Sequence, residues 1–213
     1  NFCAATLDTN NNALAEAGIQ RINKNVFGGT NPPFTVNYIE ATIKPNSIWN
    51  PDKYLNVWVA DLANGVLGYA QFPDAPNELG VGINNAANTD GTVVQYNTVG
   101  SSVTKFPGGF PYDEGRTLTH EVGHWLGLRH IWGDGNCSTD DFVFDTPRAN
   151  GPNGGCPPPT TNSCNDITYG AAADSNDMVK NYMDYSDDAC MNIFTLGQSA
   201  RMRVVMGETN AGA

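Results

Sequence analysis

His120-Glu121-Val122-Gly123-His124-Trp125-Leu126-Gly127-Leu128-Arg129-His130 holds all three histidines of a 213-residue chain. Histidine is the commonest side-chain metal ligand. His120 and His124 stand four apart, so on a helix they lie one above the other on a single face. Glu121, one position round, reaches the edge of the same site without serving as a ligand. Gly127 lets the chain leave the helix through a positive φ, and three residues later His130 can return to the same ion. Leu118, Val122, Trp125 and Leu126 form an apolar stripe at helical spacing. It predicts a core-facing helix that begins near Asp113 or Glu114 and stops at Gly127. The five-residue HExxH core also arises by chance in ordinary amphipathic helices. The added glycine and third histidine make the extended pattern far more restrictive.

Composition bounds the rest. Hydrophobic residues make up 40% of the chain and aromatics 10%, which argues for a folded globule. The length suits one catalytic domain over residues 1–213, split by a cleft into an upper part (about 1–130) and a lower part (about 131–213). Charged residues are only 15%, and abundant Gly, Pro and Asn predict long loops. A net charge of −11 speaks against nucleic acid and anionic membranes as partners, since both need basic surface. No apolar run approaches the length of a membrane span. Nothing at Asn1 reads as a signal peptide, so the chain is either cytosolic or already processed.

The five cysteines choose between those two. Cys137, Cys156, Cys164 and Cys190 fall in a Gly/Pro-rich region, and none is spaced as CxxC. Disulfides stapling loops in an oxidising, extracellular compartment fit better than a structural zinc site. Their pairing is open at this point. Cys3 is the odd one and reads as a small packed apolar side chain.

Along the chain, Gly18 to Asn23 and Val36 to Ile39 alternate like strands. Tyr54 to Ala60 reads as a buried strand. Leu67 to Phe72, with Gly68 inside and Pro73 after it, reads as an edge strand. Gly80 to Ile83 is a further short strand, and Thr92 to Val94 offers another. Thr195 and Gln198 make a capping-box pattern opening a helix from Leu196 to Met206. The result is a mixed α/β upper half ending in the metal helix, and a loop-built lower half closed by one helix. A metal at their junction lies at the bottom of a cleft.

Three neutral imidazoles and an open fourth position are what a catalytic zinc site requires. The net positive ion acidifies a bound water and polarises a carbonyl, and Glu121 is placed to take the proton and return it to a leaving amine. Peptide hydrolysis without a covalent intermediate is the natural chemistry. Leu67, Gly68, Tyr69 and Ala70, on an edge strand, form a rail for an extended protein or peptide substrate. Asp187 and Asp188 are further candidates to contact the substrate.

The extended motif resembles that of the metzincin zinc peptidases. In that clan a buried methionine floors the zinc site, which assigns this role to Met183, and a tyrosine near the ion can donate to the oxyanion, which assigns Tyr185. Tyr54 to Val59, Leu67 to Pro73, Gly115 to Thr119, His130 to Gly135, Asp140 to Pro147 and Asn181 to Cys190 narrow the resemblance to one family, the pappalysins. The resemblance implies an α+β, two-subdomain fold: a mixed twisted sheet and zinc helix above the cleft, and a loop-rich lower half with a C-terminal helix. It further implies a secreted, monomeric endopeptidase made as a zymogen with an N-terminal pro-segment. A preference for basic residues after the scissile bond, bound calcium and the disulfides Cys137–Cys164 and Cys156–Cys190 come from the same source. Relatives carry a strand and a backing helix ahead of the segment matching Asn1 to Ala4. The expectation here is a sheet with one face uncovered.

Calcium has a second argument. Residues 134–188 contain ten aspartates against Arg148 and Lys180 alone, and loop carboxylates suit a hard cation. By proximity the candidates are Asp134, Asp140, Asp141, Asp145 and Thr146. Two other functions fit parts of the pattern. A non-catalytic zinc and calcium module that binds protein would tolerate loss of Glu121. A zinc hydrolase of non-peptide amides would have no use for a pairing edge strand.

Overall fold

Val93 and Val94 are both fully buried although they are neighbours on one strand, so each face of the central strand packs against a different layer. A computed structural model describes residues 2–75, 80–81 and 86–207. The sheet has three strands in the order β1-β3-β2: β1 (Val57–Ala60), β2 (Gly68–Ala70) and β3 (Thr92–Gln95). β1 runs parallel to β3 and β2 antiparallel to it. β2 is therefore an edge, with one row of backbone groups unpaired by the sheet.

On one face, Trp58, Val93 and Tyr69 stand in register and pack with Ile39, Ile43 and Leu62. Ile39 and Ile43 come from a helical run: α1 (Val36–Tyr38) continues into a π-turn, Ile39–Ile43, and a 3-10 turn, Lys44–Asn46. This segment was expected as a strand. The alternation of Val36 to Ile39 is short, and three other signals override it. Thr35 caps Tyr38 N–H at 3.2 Å; Ile39 and Ile43 share a helical face; and Pro45, lacking an N–H, turns the chain tightly.

The other face carries α2 (Arg116–Trp125), packed on β2 and β3. α2 starts two residues later than its pattern predicts, because Gly115 takes a φ of +81° at its N-cap. A side chain there would meet the Gly100 carbonyl at 2.6 Å. The helix ends at Trp125, and Gly127 turns away with φ +86°. Of the apolar stripe, Leu126 is buried, whereas Leu118, Val122 and Trp125 are only half-buried. Beside them, Val57 and Val59 on the same sheet face are 38% and 54% exposed. Phe2 leans on Trp125, with ring centroids 6.3 Å apart, and Trp125 donates to Asp90 at 2.6 Å.

Residues 2–35 contribute no strand of the sheet. Gly18 to Asn23 makes only the isolated bridge Glu16–Ile19, because its alternating side chains find no partner strand. Cys3 is exposed and unpaired rather than packed, a consequence of its place in this surface segment. Gly80 and Val81 are not extended, and Gly82 and Ile83 lie outside the described residues.

Past α2, Leu128, Ile131, Trp132, Ala149 and Met183 make a second core. Few regular elements surround it; the exception is α3 (Leu196–Val205), opened by a complete Thr195/Gln198 capping box. Buried carboxylates organise the loops by collecting backbone donors that would otherwise be left without partners. Asp166 accepts from Arg148 and Ser175 N–H, Asp177 from Ser163, and Asp184 from Asn153 and Tyr185. Disulfides Cys137–Cys164 and Cys156–Cys190 close this region. The first spans 27 residues, for which loop-closure entropy gives about 3.5 kcal/mol. Replacing Cys137 and Cys164 together by serine should lower unfolding stability by about that amount in urea titration; an unchanged midpoint would contradict the staple.

Candidate functional site

The helix–turn geometry brings three imidazoles to one point. His124 Nε2 lies 3.0 Å from His120 Nε2 and 3.1 Å from His130 Nε2, and the third side of the triangle is 3.2 Å. Each ring is turned by its other nitrogen. His120 Nδ1 donates to the Tyr182 carbonyl at 2.6 Å, His124 Nδ1 to the Leu128 carbonyl at 2.8 Å, and His130 Nδ1 to Asp134 Oδ1. A carbonyl can only accept, so Nδ1 carries the proton and Nε2 presents a lone pair. Burial, more than any neighbour, lowers the pKa of all three; His124 is pushed down to about 4.

Neutral imidazoles with converging lone pairs are what a transition metal needs. Tetrahedral zinc with bonds of about 2.0–2.1 Å separates its nitrogens by roughly 3.3 Å, close to the observed triangle. The residues fit zinc. Among the described residues no other group of three His, Cys, Asp or Glu side chains converges in this way.

Glu121 is 6% exposed, and burial pushes its carboxyl up to about 8. It is packed against the edge strand at Gly68, where an added Cβ would lie 2.8 Å from its Cγ and Oε1. Glycine is thus required for β2 to approach the helix this closely. On the opposite side, Gly123 admits Met183, whose Sδ would be 2.5 Å from an added Cβ. Met183 is fully buried against the helix at Gly123, its N–H donating to Asn181 Oδ1 at 2.9 Å. Tyr185 leans on the cluster, its ring 5.0 Å from His130 and 5.6 Å from His120. Burial raises its phenol, which keeps the hydroxyl a donor at neutral pH.

A cavity of about 500 Å³ joins these groups to Leu67, Gly68, Tyr69 and Ala70. Its wall also holds Tyr112, Thr117, Ser186 and Met191, to which the sequence reading assigned no site role; Thr117 comes from α2 and the others from loops. Asp188 lines the cavity and Asp187 does not. Asp188 is 1% exposed. Its Oδ2 accepts the N–H groups of Glu114 and Arg116 at 2.8 and 3.0 Å, and its buried Oδ1 has no partner among the described residues.

Of the five calcium candidates, four line a separate cavity of about 580 Å³: Asp140, Asp141, Asp145 and Thr146. Asp140 faces Arg148 at 2.8 Å, and Thr146 holds Asp141 at 2.8 Å. Asp145 accepts from Thr195 and Gly197 at the start of α3. Asp134 stands apart, against His130 and Arg129.

A family model described as pregnancy-associated plasma protein-A matches residues 37–207. Extracellular metalloprotease 1 of Coccidioides posadasii is 40% identical over 159 residues, 74% of this chain and 51% of that protein. A structure of mirolysin in complex with compound 9 superposes with a TM-score of 0.73 at 40% identity, covering 98% of this chain and 70% of that one. Tannerella forsythia mature mirolysin in complex with a cleaved peptide gives 0.65 at 37% identity, over 93% and 67%. The chain spans about half the length of the curated relatives it matches.

The contact of Gly123 with Met183 can be tested by volume. Gly123→Val puts three carbons where one already meets Met183, and overpacking of this size costs about 3 kcal/mol. Urea unfolding should show that loss, whereas stability within 0.5 kcal/mol (about the scatter of neutral surface substitutions) would mean that the contact is not made.

Proposed function

The chain belongs to the pregnancy-associated plasma protein-A family of metallopeptidases, the pappalysins, and from this we propose that it is the catalytic domain of a secreted, zinc-dependent endopeptidase. The carrying observation is the cavity in which three Nε2 lone pairs, the buried Glu121 carboxyl and the open edge of β2 meet. An extracellular location agrees with the two disulfides and with the names of the relatives. No helix among the described residues is long and apolar enough to cross a membrane.

His120, His124 and His130 would hold zinc, which supplies Lewis acidity toward a carbonyl and toward water. The chain supplies the rest. The free edge of β2 pairs with an extended substrate and lays the scissile bond across the cluster. Glu121, in its ionised form, accepts a proton from the attacking water and passes it to the leaving amine. Tyr185 donates its hydroxyl to the oxygen on which charge develops, an effect worth roughly 3 kcal/mol for a well-placed donor. Casein should be cleaved by the wild-type protein and left intact after chelation. Glu121→Ala should lower kcat at least about 100-fold, as expected for loss of a general base. Undiminished cleavage by that variant would overturn the mechanism.

A preference for a basic side chain just after the scissile bond is part of this proposal. Asp188 Oδ1 is a buried acceptor with no partner in the cavity wall, and a guanidinium or ammonium would satisfy it. Asp188→Asn should lower kcat/KM for substrates with Arg or Lys at that position by about tenfold or more, the scale of one charge-assisted hydrogen bond. Substrates with Leu there should change far less. Equal losses on both would assign Asp188 to holding the start of α2 and no more. Calcium is a second proposed cation, at Asp140, Asp141, Asp145 and Thr146. Burial has pushed the Asp141 carboxyl up to about 7, and a bound cation would keep it ionised.

A further inference from the structure

The three anchors of the imidazoles differ in kind. His120 and His124 lean on backbone carbonyls, whereas His130 gives its Nδ1–H to a side-chain carboxylate, that of Asp134. The other carboxylate oxygen is taken by Arg129, through Nε at 3.2 Å and Nη2 at 3.1 Å. Arg129 is itself held: it donates to the Gly133 carbonyl at 3.1 Å and lies over the Phe142 ring, 5.8 Å from its centroid. Trp132 stacks flat on His130 at 4.2 Å, and Tyr185 stands edge-on to the same imidazole. These contacts block tilting of the imidazole and leave its in-plane orientation to the bond at Nδ1. The backbone contributes too, since Asp134 has a φ of +62°, a conformation that Asp, Asn and Gly tolerate best.

We infer that Asp134, anchored by Arg129, is a positioning residue for the metal rather than part of a calcium loop. It locks the Nδ1–H form of His130 so that Nε2 faces the ion, and among the described residues it is the carboxylate hydrogen-bonded to one of the three converging imidazoles. Three neutral ligands leave a dication uncompensated, and a negative charge one imidazole away strengthens the ligand that it contacts. The inference rests on the zinc-peptidase reading above.

The test is zinc affinity, independent of turnover. The zinc dissociation constant of the full chain would be measured by competition with a chelating dye for wild type, Asp134→Asn and Asp134→Gly, with urea unfolding of the metal-free proteins alongside. Glycine removes the carboxylate at a φ where it is unstrained; asparagine keeps a neutral acceptor of similar shape. The glycine variant should bind zinc about 10- to 100-fold more weakly, the range found when such outer partners are lost. The asparagine variant should fall between it and wild type, by at least threefold. The visible bands of the cobalt-substituted protein should shift in the glycine variant. Zinc affinity within twofold of wild type in both variants overturns the inference. Should the glycine variant fold poorly, the asparagine variant decides alone, a loss below twofold counting against. A wild-type chain that binds no zinc would instead overturn the underlying peptidase reading.

Discussion

The site depends on three hydrogen bonds that point away from it. Each imidazole spends its Nδ1–H on a fixed acceptor, and this leaves three Nε2 lone pairs about one tetrahedron edge apart. The acceptors belong to different parts of the chain: the Leu128 carbonyl just past the helix, Asp134 in the following loop, and the Tyr182 carbonyl 48 residues beyond that. The metal centre therefore reports on the folding of both halves. Holding three neutral, buried imidazoles together is favourable only when something else fills their lone pairs. A cation is the simplest candidate.

Two glycines set how tightly the neighbours close on this centre. Gly68 lets the edge strand reach Glu121, and Gly123 lets the helix settle on Met183. Glu121 and Met183 are thus placed by missing side chains. The cavity brings together the edge of β2, the histidines and Asp188, whose Oδ1 has no hydrogen-bond partner among the described residues.

Much of this was legible in the sequence, for physical reasons. The spacing of His120, His124 and Gly127 encodes a helix and its exit. The Thr195/Gln198 pair encodes the start of α3. Gly68 and Pro73 mark β2 as an edge. Where pattern was short, tertiary packing overrode it: Val36 to Ile39 became helix through the Thr35 cap and the core contacts of Ile39 and Ile43. Gly18 to Asn23 had the alternation of a strand and no partner to pair with. The apolar stripe on α2 is helical as its spacing predicts, yet Leu118, Val122 and Trp125 are only half-buried and Val57 and Val59 are exposed. The roles of the acidic residues were the least legible. Asp134, Asp166 and Asp184 look alike in composition, but Asp134 holds the His130 imidazole, whereas Asp166 and Asp184 collect backbone donors in loops. Only three-dimensional partners separate them.

The central claim is that the chain builds one zinc site from His120, His124 and His130. Anomalous diffraction from crystals grown with zinc, recorded on both sides of its absorption edge, tests it most directly. The account predicts a single strong peak at the meeting point of the three Nε2 atoms, at bonding distance from each. A peak elsewhere, with none at the three histidines, would contradict it.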